Sequence, residues 1–168
     1  ANGDEGKLAL FKEILFATIE GNGRHKYFMV SGDAGVGKST FQIMCTALAG
    51  QEYTQIINVN KLDNPNSINN ISSETKLIVG DDLKNNARLS DDAITSYKTL
   101  VDGNALSVEV KYEPNRIIKT NAVWMQMMNE APKISESGDA ITDRTIFIHL
   151  TGTNHRRDTD DVAKEMSY

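Results

Sequence analysis

The sequence has little cysteine, no long apolar run and no excess of positive charge, and each absence excludes a class of protein. A single cysteine, Cys45, excludes an internal disulfide and fits a reducing, cytosolic setting. No apolar run approaches the roughly 18 residues of a transmembrane helix. The polar, acidic start ANGDEG predicts no signal peptide. We therefore expect a protein that does not enter a membrane.

The charge and the length limit the function further. The formal net charge is −5, which argues against a protein that coats nucleic acid through bulk positive charge. A few lysines at one contact point remain compatible with that balance. The three histidines have no ligand-like spacing, so we expect no histidine metal site. A length of 168 residues suits one globular domain.

Apolar runs and helical periodicity alternate along the chain. Helical spacing predicts helices at 7–20, 38–48 and 89–101, the last with a capping signal at Ser90-Asp91-Asp92. Short apolar runs predict strands at 27–31, 53–59, 76–80, 116–120 and 145–150. Strands that alternate with helices predict an α/β fold with a mostly parallel five-stranded sheet flanked by helices. In such folds ligands bind at the carboxyl ends of the strands.

A phosphate-binding loop follows the first predicted strand. The pattern G-x-x-x-x-G-K-[ST] is complete in Gly32, Asp33, Ala34, Gly35, Val36, Gly37, Lys38 and Ser39, with Thr40 next in the helix. Such a loop turns backbone N–H groups toward phosphate oxygens, and the helix that follows adds its positive amino end. Lys38 can reach the β- and γ-phosphates, and the Ser39 hydroxyl can ligate Mg²⁺. The loop predicts ATP and Mg²⁺ as ligands.

A pair of carboxylates, Asp81 and Asp82, ends the apolar run LIVG about 40 residues after the loop. One carboxylate can hold Mg²⁺ and the other can orient the attacking water. By position we favour Asp81 for the metal and Asp82 for the water, and the reverse assignment stays open.

A second short pattern, NKLD at 60–63, matches the N-K-x-D guanine-reading motif of GTPases. In GTPases that motif lies beyond the D-x-x-G element, whereas here it precedes the acidic pair, and DDLK lacks the glycine. We interpret NKLD as a loop without guanine specificity.

Residues 102–112 begin with Asp-Gly-Asn and continue with alternating side chains. Leu106, Val108 and Val110 share one side of this segment, and Lys111 lies on the other. Alternation alone predicts a half-buried strand with a solvated lysine.

The order of these motifs resembles the superfamily 3 helicases of DNA viruses and phages. The phosphate loop, the acidic pair, the DGN-x-x-SVEVKY segment, KTN at 119–121 and DRTIF at 143–147 occur in the family's order, within residues 25–150. The resemblance implies an AAA+ type P-loop core and a β-hairpin that projects into the channel of a hexameric ring. It also implies that Lys111 and Tyr112 contact single-stranded DNA.

Two further roles are implied by the same resemblance. Asn121 looks like the polar sensor of the ATPase core, at the end of the strand predicted at 116–120. Arg144 looks like an arginine finger inserted into the nucleotide site of a neighbouring subunit. Arg116 and Lys119 are alternative candidates for a contact between subunits.

The resemblance also implies a division of the chain and a setting. We expect an N-terminal helix packing on the core at 1–24, the ATPase core at 25–150 and a polar tail at 151–168. The expected location is the cytoplasm of a prokaryotic host, with any primase or origin-binding domain outside this chain. Two alternatives stay open: an AAA+ initiator or loader that binds DNA without unwinding it, and a monomeric P-loop kinase or GTPase.

Overall fold

The structure is a computed structural model that describes residues 4–83, 87–109, 114–130 and 139–152. The side chains of Asp82, Asp139 and Ala140 lie outside this description. The helices in these ranges are α1 Glu5–Glu20, α2 Lys38–Ala49, α3 Pro65–Ile68, α4 Asp91–Val101 and α5 Asp139–Thr142. The strands are β1 Tyr27–Gly32, β2 Thr54–Ile56, β3 Leu77–Leu83, β4 Leu106–Val108, β5 Arg116–Ile118, β6 Val123–Met128 and β7 Thr145–Leu150.

Five of the strands form one sheet in the order β2-β3-β6-β1-β7, and every neighbouring pair is parallel. The predicted α/β fold with a five-stranded parallel sheet is confirmed. Strand β6 lies between the strand that leads into the phosphate loop and the strand that carries the acidic pair. Because all five strands run the same way, their carboxyl ends form one edge of the sheet and their amino ends form the other.

Alternate side chains of β1 pack on opposite faces of the sheet. Phe28 and Val30 contact the layer formed by α1 and α2, whereas Tyr27 and Met29 contact the layer that contains α4. The two layers therefore share the sheet between them. Cys45 lies in the first layer, where burial raises the pKa of its thiol to about 12 and leaves it protonated at neutral pH.

The sequence predicts a sheet strand at 116–120, and this prediction is wrong. Residues Arg116–Ile118 pair antiparallel with β4 and form a separate two-stranded hairpin. The sheet strand is β6, and all six of its residues are buried. A hairpin needs one apolar face, which RII supplies, whereas a central strand must be apolar on both faces. The run VWMQMM has that property, although its Gln and three Met weaken the β-strand signal.

Capping residues are present at the ends of two of the predicted helices. The Asp4 side chain accepts a hydrogen bond from the Lys7 N–H at the start of α1, and Gly21 ends that helix at φ 67°. The Ser90 hydroxyl accepts from the Ala93 N–H at the start of α4, as the capping signal predicts.

The helices in the described ranges are all too short or too polar to cross a membrane.

Helix α1 packs on α2 through the rings of Phe11 and Phe41, whose centroids lie 4.5 Å apart. The division at 1–24, 25–150 and 151–168 stays a prediction.

Candidate nucleotide-binding site

The phosphate loop connects β1 to α2 at the carboxyl edge of the sheet. Gly37 has φ 99°, a left-handed value that a side chain would strain, and it begins α2. Gly32 leaves no room for a side chain, because a Cβ there would lie 2.6 Å from the Leu150 carbonyl oxygen. Within the described residues no side chain caps the first turn of α2. Its N–H groups can therefore bind phosphate oxygens.

Lys38 holds its ammonium group directly over the loop. Its Nζ donates to the Gly32 carbonyl and, at 2.9 Å, to the Asp33 carbonyl. Both acceptors belong to the loop itself, so the charge stays where phosphates would bind. The ammonium can exchange these neutral acceptors for phosphate oxygens, which form stronger charge-assisted bonds.

The loop and the acidic strand share a cavity of about 350 Å³. Its lining contains much of the predicted site: Ala34, Gly35, Gly37, Lys38, Ser39, Thr40 and Asp81, together with Met127 and Asn129. Ser39 and Asp81 supply a hydroxyl and a carboxylate oxygen, which are the ligand types that Mg²⁺ prefers. The donors fit a nucleotide phosphate with its Mg²⁺ ion.

A β-bulge carries the two acidic residues. Gly80 pairs with Gln126 and Leu83 pairs with Met128, so Asp81 and Asp82 together face a single partner residue. A bulge of this kind re-aims side chains at the end of a strand. Asp81 is exposed and lines the cavity, while the side chain of Asp82 lies outside the described part of the chain.

Asn121 is not in this cavity. It precedes β6 at the amino edge of the sheet, where its Oδ1 lies against Gly103 at the end of α4 and its carbonyl accepts from the Gly23 N–H. The predicted placement beside the acidic pair depended on a sheet strand at 116–120, which does not exist. Asn129, which directly follows β6, lies in the cavity instead.

Arg144 also lies at the amino edge, directly before β7. Its Nε and Nη2 donate to the two carboxylate oxygens of Asp102, each at 2.7 Å. These hydrogen bonds hold the pKa of Asp102 below its usual range and raise that of Arg144. Within one chain Arg144 is thus on the opposite edge from the phosphate loop.

The hairpin places its apolar side against the core. Val108 and Ile118 are buried, Leu106 is half-buried, and Ser107 pairs with an outward Ile117. This confirms the predicted buried face as far as Val108. The connection between β4 and β5 contains Val110, Lys111 and Tyr112, which lie outside the described residues.

The NKLD segment forms a short 3-10 helix and a turn after β2. The Asp63 Oδ2 accepts a hydrogen bond of 2.7 Å from the Ser90 hydroxyl, which caps α4. Asp63 therefore supports a helix start.

Two solved structures share the fold of this chain, and one of them is a helicase. The C-terminal region of NrS-1 (305–718) matches with a TM-score of 0.65 at 15% identity, over 97% of this chain and 39% of that one. JCV helicase matches with a TM-score of 0.53 at 13% identity, over 86% of this chain and 41% of that one. At these identities the likeness is one of fold, and this chain spans about two fifths of the length of either neighbour.

Among proteins with curated functions, none matches the sequence. A family model does match residues 29–145, from the first strand of the sheet to the start of the last. Since that match covers most of the chain, the protein belongs to DUF5906, a family of unknown function.

Proposed function

We propose that this chain is the ATP-hydrolysing domain of a DNA helicase that acts as a ring and moves along single-stranded DNA. The observation that carries the proposal is the cavity in which Lys38, Ser39, Asp81 and Asn129 meet at the carboxyl edge of the sheet. A cation, a hydroxyl, a carboxylate and an amide are the groups that phosphoryl transfer to water requires.

Each group has a role that follows from its chemistry. Lys38 and the N–H groups of the loop would hold the β- and γ-phosphates. Ser39 and Asp81 would hold Mg²⁺, which would supply positive charge to the phosphates. Asp82 orients the attacking water, or exchanges this role with Asp81. Asn129 takes the sensor role first expected of Asn121, because its amide can both donate to phosphate and accept from water.

The hairpin supports the DNA-binding part of the proposal. Val108 and Ile118 anchor its base in the core, and Arg116 donates from its Nη1 to the Asn69 carbonyl. Lys111 and Tyr112 come between these two anchored strands in the sequence. In a ring of subunits, one lysine from each subunit would bind DNA phosphates, and one tyrosine from each would stack on the bases. A chain of net charge −5 needs such a local contact.

The ring part of the proposal concerns Arg144. Because it lies on the opposite edge from the phosphate loop of its own chain, Arg144 would serve the nucleotide of a neighbour. There it would neutralise charge on the transferred phosphoryl group, an effect of about 10³–10⁵ in rate. To reach that nucleotide, Arg144 would have to break its ion pair with Asp102. Arg116 and Lys119 remain the alternatives for a contact between subunits.

A second candidate is a monomeric P-loop enzyme, and the Arg144–Asp102 ion pair favours it. In a monomer this pair would be permanent and Arg144 would have a structural role. An initiator or loader that binds DNA without unwinding it would use the same groups as the helicase.

The main test is the ATPase rate of the purified chain against added single-stranded DNA, with mass determination on the same sample. We expect rings whose ATPase rises with DNA and falls at least about 10³-fold in Lys38→Ala. Lys111→Ala should remove the stimulation by DNA and leave the basal rate. Rings without DNA-stimulated ATPase, together with DNA binding unaffected by Lys111→Ala, would overturn the proposal.

Two further assays separate the alternatives. Mixing inactive Lys38→Ala and Arg144→Ala subunits should restore part of the activity if sites are shared, and restores none in a monomeric enzyme. Strand displacement by a full-length protein distinguishes the helicase from a loader, which hydrolyses ATP without unwinding.

A further inference from the structure

Gln126 is a polar side chain buried at 0% exposure in the central strand β6. Its Oε1 accepts from the Val59 N–H at 3.0 Å, and its Nε2 donates to the Met127 carbonyl at 2.9 Å and to Asn58 Oδ1 at 3.3 Å. A backbone N–H can only donate and a carbonyl can only accept, so these partners fix which end of the amide is oxygen. The group is fully hydrogen-bonded inside the core.

The amide of Gln126 lies directly over Gly80 of β3, its register partner. A Cβ at position 80 would overlap all three heavy atoms of that amide, so a glycine is required there for reasons of space. The acidic pair begins at the next residue. From β6, Gln126 thus crosses β3 and reaches the chain just after β2, where it bonds Asn58 and Val59.

We propose that Gln126 is a positioning residue of the nucleotide site. It holds the carboxyl ends of β2, β3 and β6 together, so that Asp81 and Asn129 face the phosphate loop. The inference rests on the proposed ATPase function. The bulge after Gly80 interrupts the regular pairing of β3, so the backbone ladder fixes Asp81 less firmly than a residue in a regular strand.

The same contact fixes the end of β6. The Met127 carbonyl that accepts from Gln126 lies two residues before Asn129, and Met127 itself lines the cavity. Loss of the amide would let both polar groups of the site move relative to Lys38. Displacements near 1 Å at a catalytic group lower rates by about 10²-fold.

The test compares Gln126→Met, which keeps the length of the side chain and removes its hydrogen bonds, with wild type. We expect kcat for ATP hydrolysis to fall about 10–100-fold, while KM for ATP changes less than about threefold, because the loop still binds phosphate. Asn58→Ala removes one of the three bonds at a partly exposed position. It should lower kcat by a smaller factor, about threefold.

Thr18→Val is the matched control, because Thr18 has no role in the proposed ATP hydrolysis. Its buried hydroxyl donates to the Ile14 carbonyl within α1. It should destabilise the fold to a similar extent as Gln126→Met and leave kcat unchanged. A lowered kcat that merely reflected lower stability would appear in both variants.

The possible outcomes separate this inference from the function on which it rests. If wild type hydrolyses ATP and folded Gln126→Met keeps its kcat, the inference is wrong and the function stands. If Gln126→Met does not fold, Asn58→Ala decides, and an unchanged kcat in that variant overturns the inference. A wild type without ATPase activity overturns both.

Discussion

Both edges of the sheet hold basic and acidic side chains, but these groups line a cavity at one edge and pair with each other at the other edge. At the carboxyl edge, Lys38, Asp81 and Asn129 line an open cavity. At the amino edge, Arg144 and Asp102 form an ion pair with both carboxylate oxygens engaged. One edge has polar groups directed toward a space that a ligand can fill, and the other has polar groups that bond each other.

This difference follows from how the chain meets each edge. Loops that leave the carboxyl ends of parallel strands diverge around helix starts, whose N–H groups need acceptors from outside. At the amino edge, the end of α4 and the starts of β1, β6 and β7 come together closely. Gly23 donates to the Asn121 carbonyl there, and the Lys26 ammonium donates to the Asp143 carbonyl at 2.7 Å. Because these segments lie close together at the amino edge, their polar groups form hydrogen bonds with one another.

The comparison is tested most strongly by two asparagines that are both exposed, one at each edge. Asn129→Ala should lower kcat for ATP hydrolysis by about 10²-fold, because a positioned polar group at a transferring phosphate contributes on that scale. Asn121→Ala should change kcat by less than about twofold. Steady-state ATPase kinetics on both variants give the result.

Equal loss in the two variants would contradict the contrast between the edges. Because both side chains are exposed, neither substitution should greatly change stability, and thermal melting of both variants checks that condition.

The asparagines also mark the limit of what the sequence could predict. The phosphate loop is a contiguous motif, so its residues and its position after β1 could be read directly. The position of Asn129 in the cavity could not, because it depends on which strand lies between β1 and β3. RIIK and VWMQMM are both short apolar runs, and periodicity alone does not separate a hairpin strand from a central one.

One signal did favour the second run. A central parallel strand is apolar on both faces, and VWMQMM is apolar at five of its six positions, whereas RII is preceded by the polar EPN and followed by lysine. Gln126 obscured that signal, because a polar residue in a buried strand is rare. Its partners, Asn58 and Val59, are nearly 70 residues away, so no local pattern could predict that it would be satisfied.

A smaller effect is expected at the amino edge from Asp102→Asn, which keeps the shape of the side chain and removes its charge. At pH 7 the free energy of unfolding should fall by about 1 kcal/mol, as for a partly exposed bidentate pair. Because Arg144 holds the pKa of Asp102 below its usual range, the contribution is present above about pH 4 and is lost as pH falls through the lowered pKa.

Urea unfolding of wild type and Asp102→Asn at pH 7, 5 and 3 measures this dependence. The difference between the two proteins should be similar at pH 7 and 5 and smaller at pH 3. A difference that grows at pH 3 would mean that Arg144 does not stabilise the ionised carboxylate.

The smallest effect is expected from Asp63, which lies after β2 at the carboxyl edge but bonds Ser90. Asp63→Ala should lower the free energy of unfolding by about 0.5 kcal/mol, and Ser90→Ala, which removes the helix cap itself, by about 1 kcal/mol. Neither should change the preference for ATP over GTP, measured as the ratio of kcat/KM values. A shift of that ratio in Asp63→Ala would mean that NKLD reads the base. An unchanged ratio with reduced stability would mean that a position at the carboxyl edge is not sufficient for a role in the site, because Asp63 already has a partner within the chain.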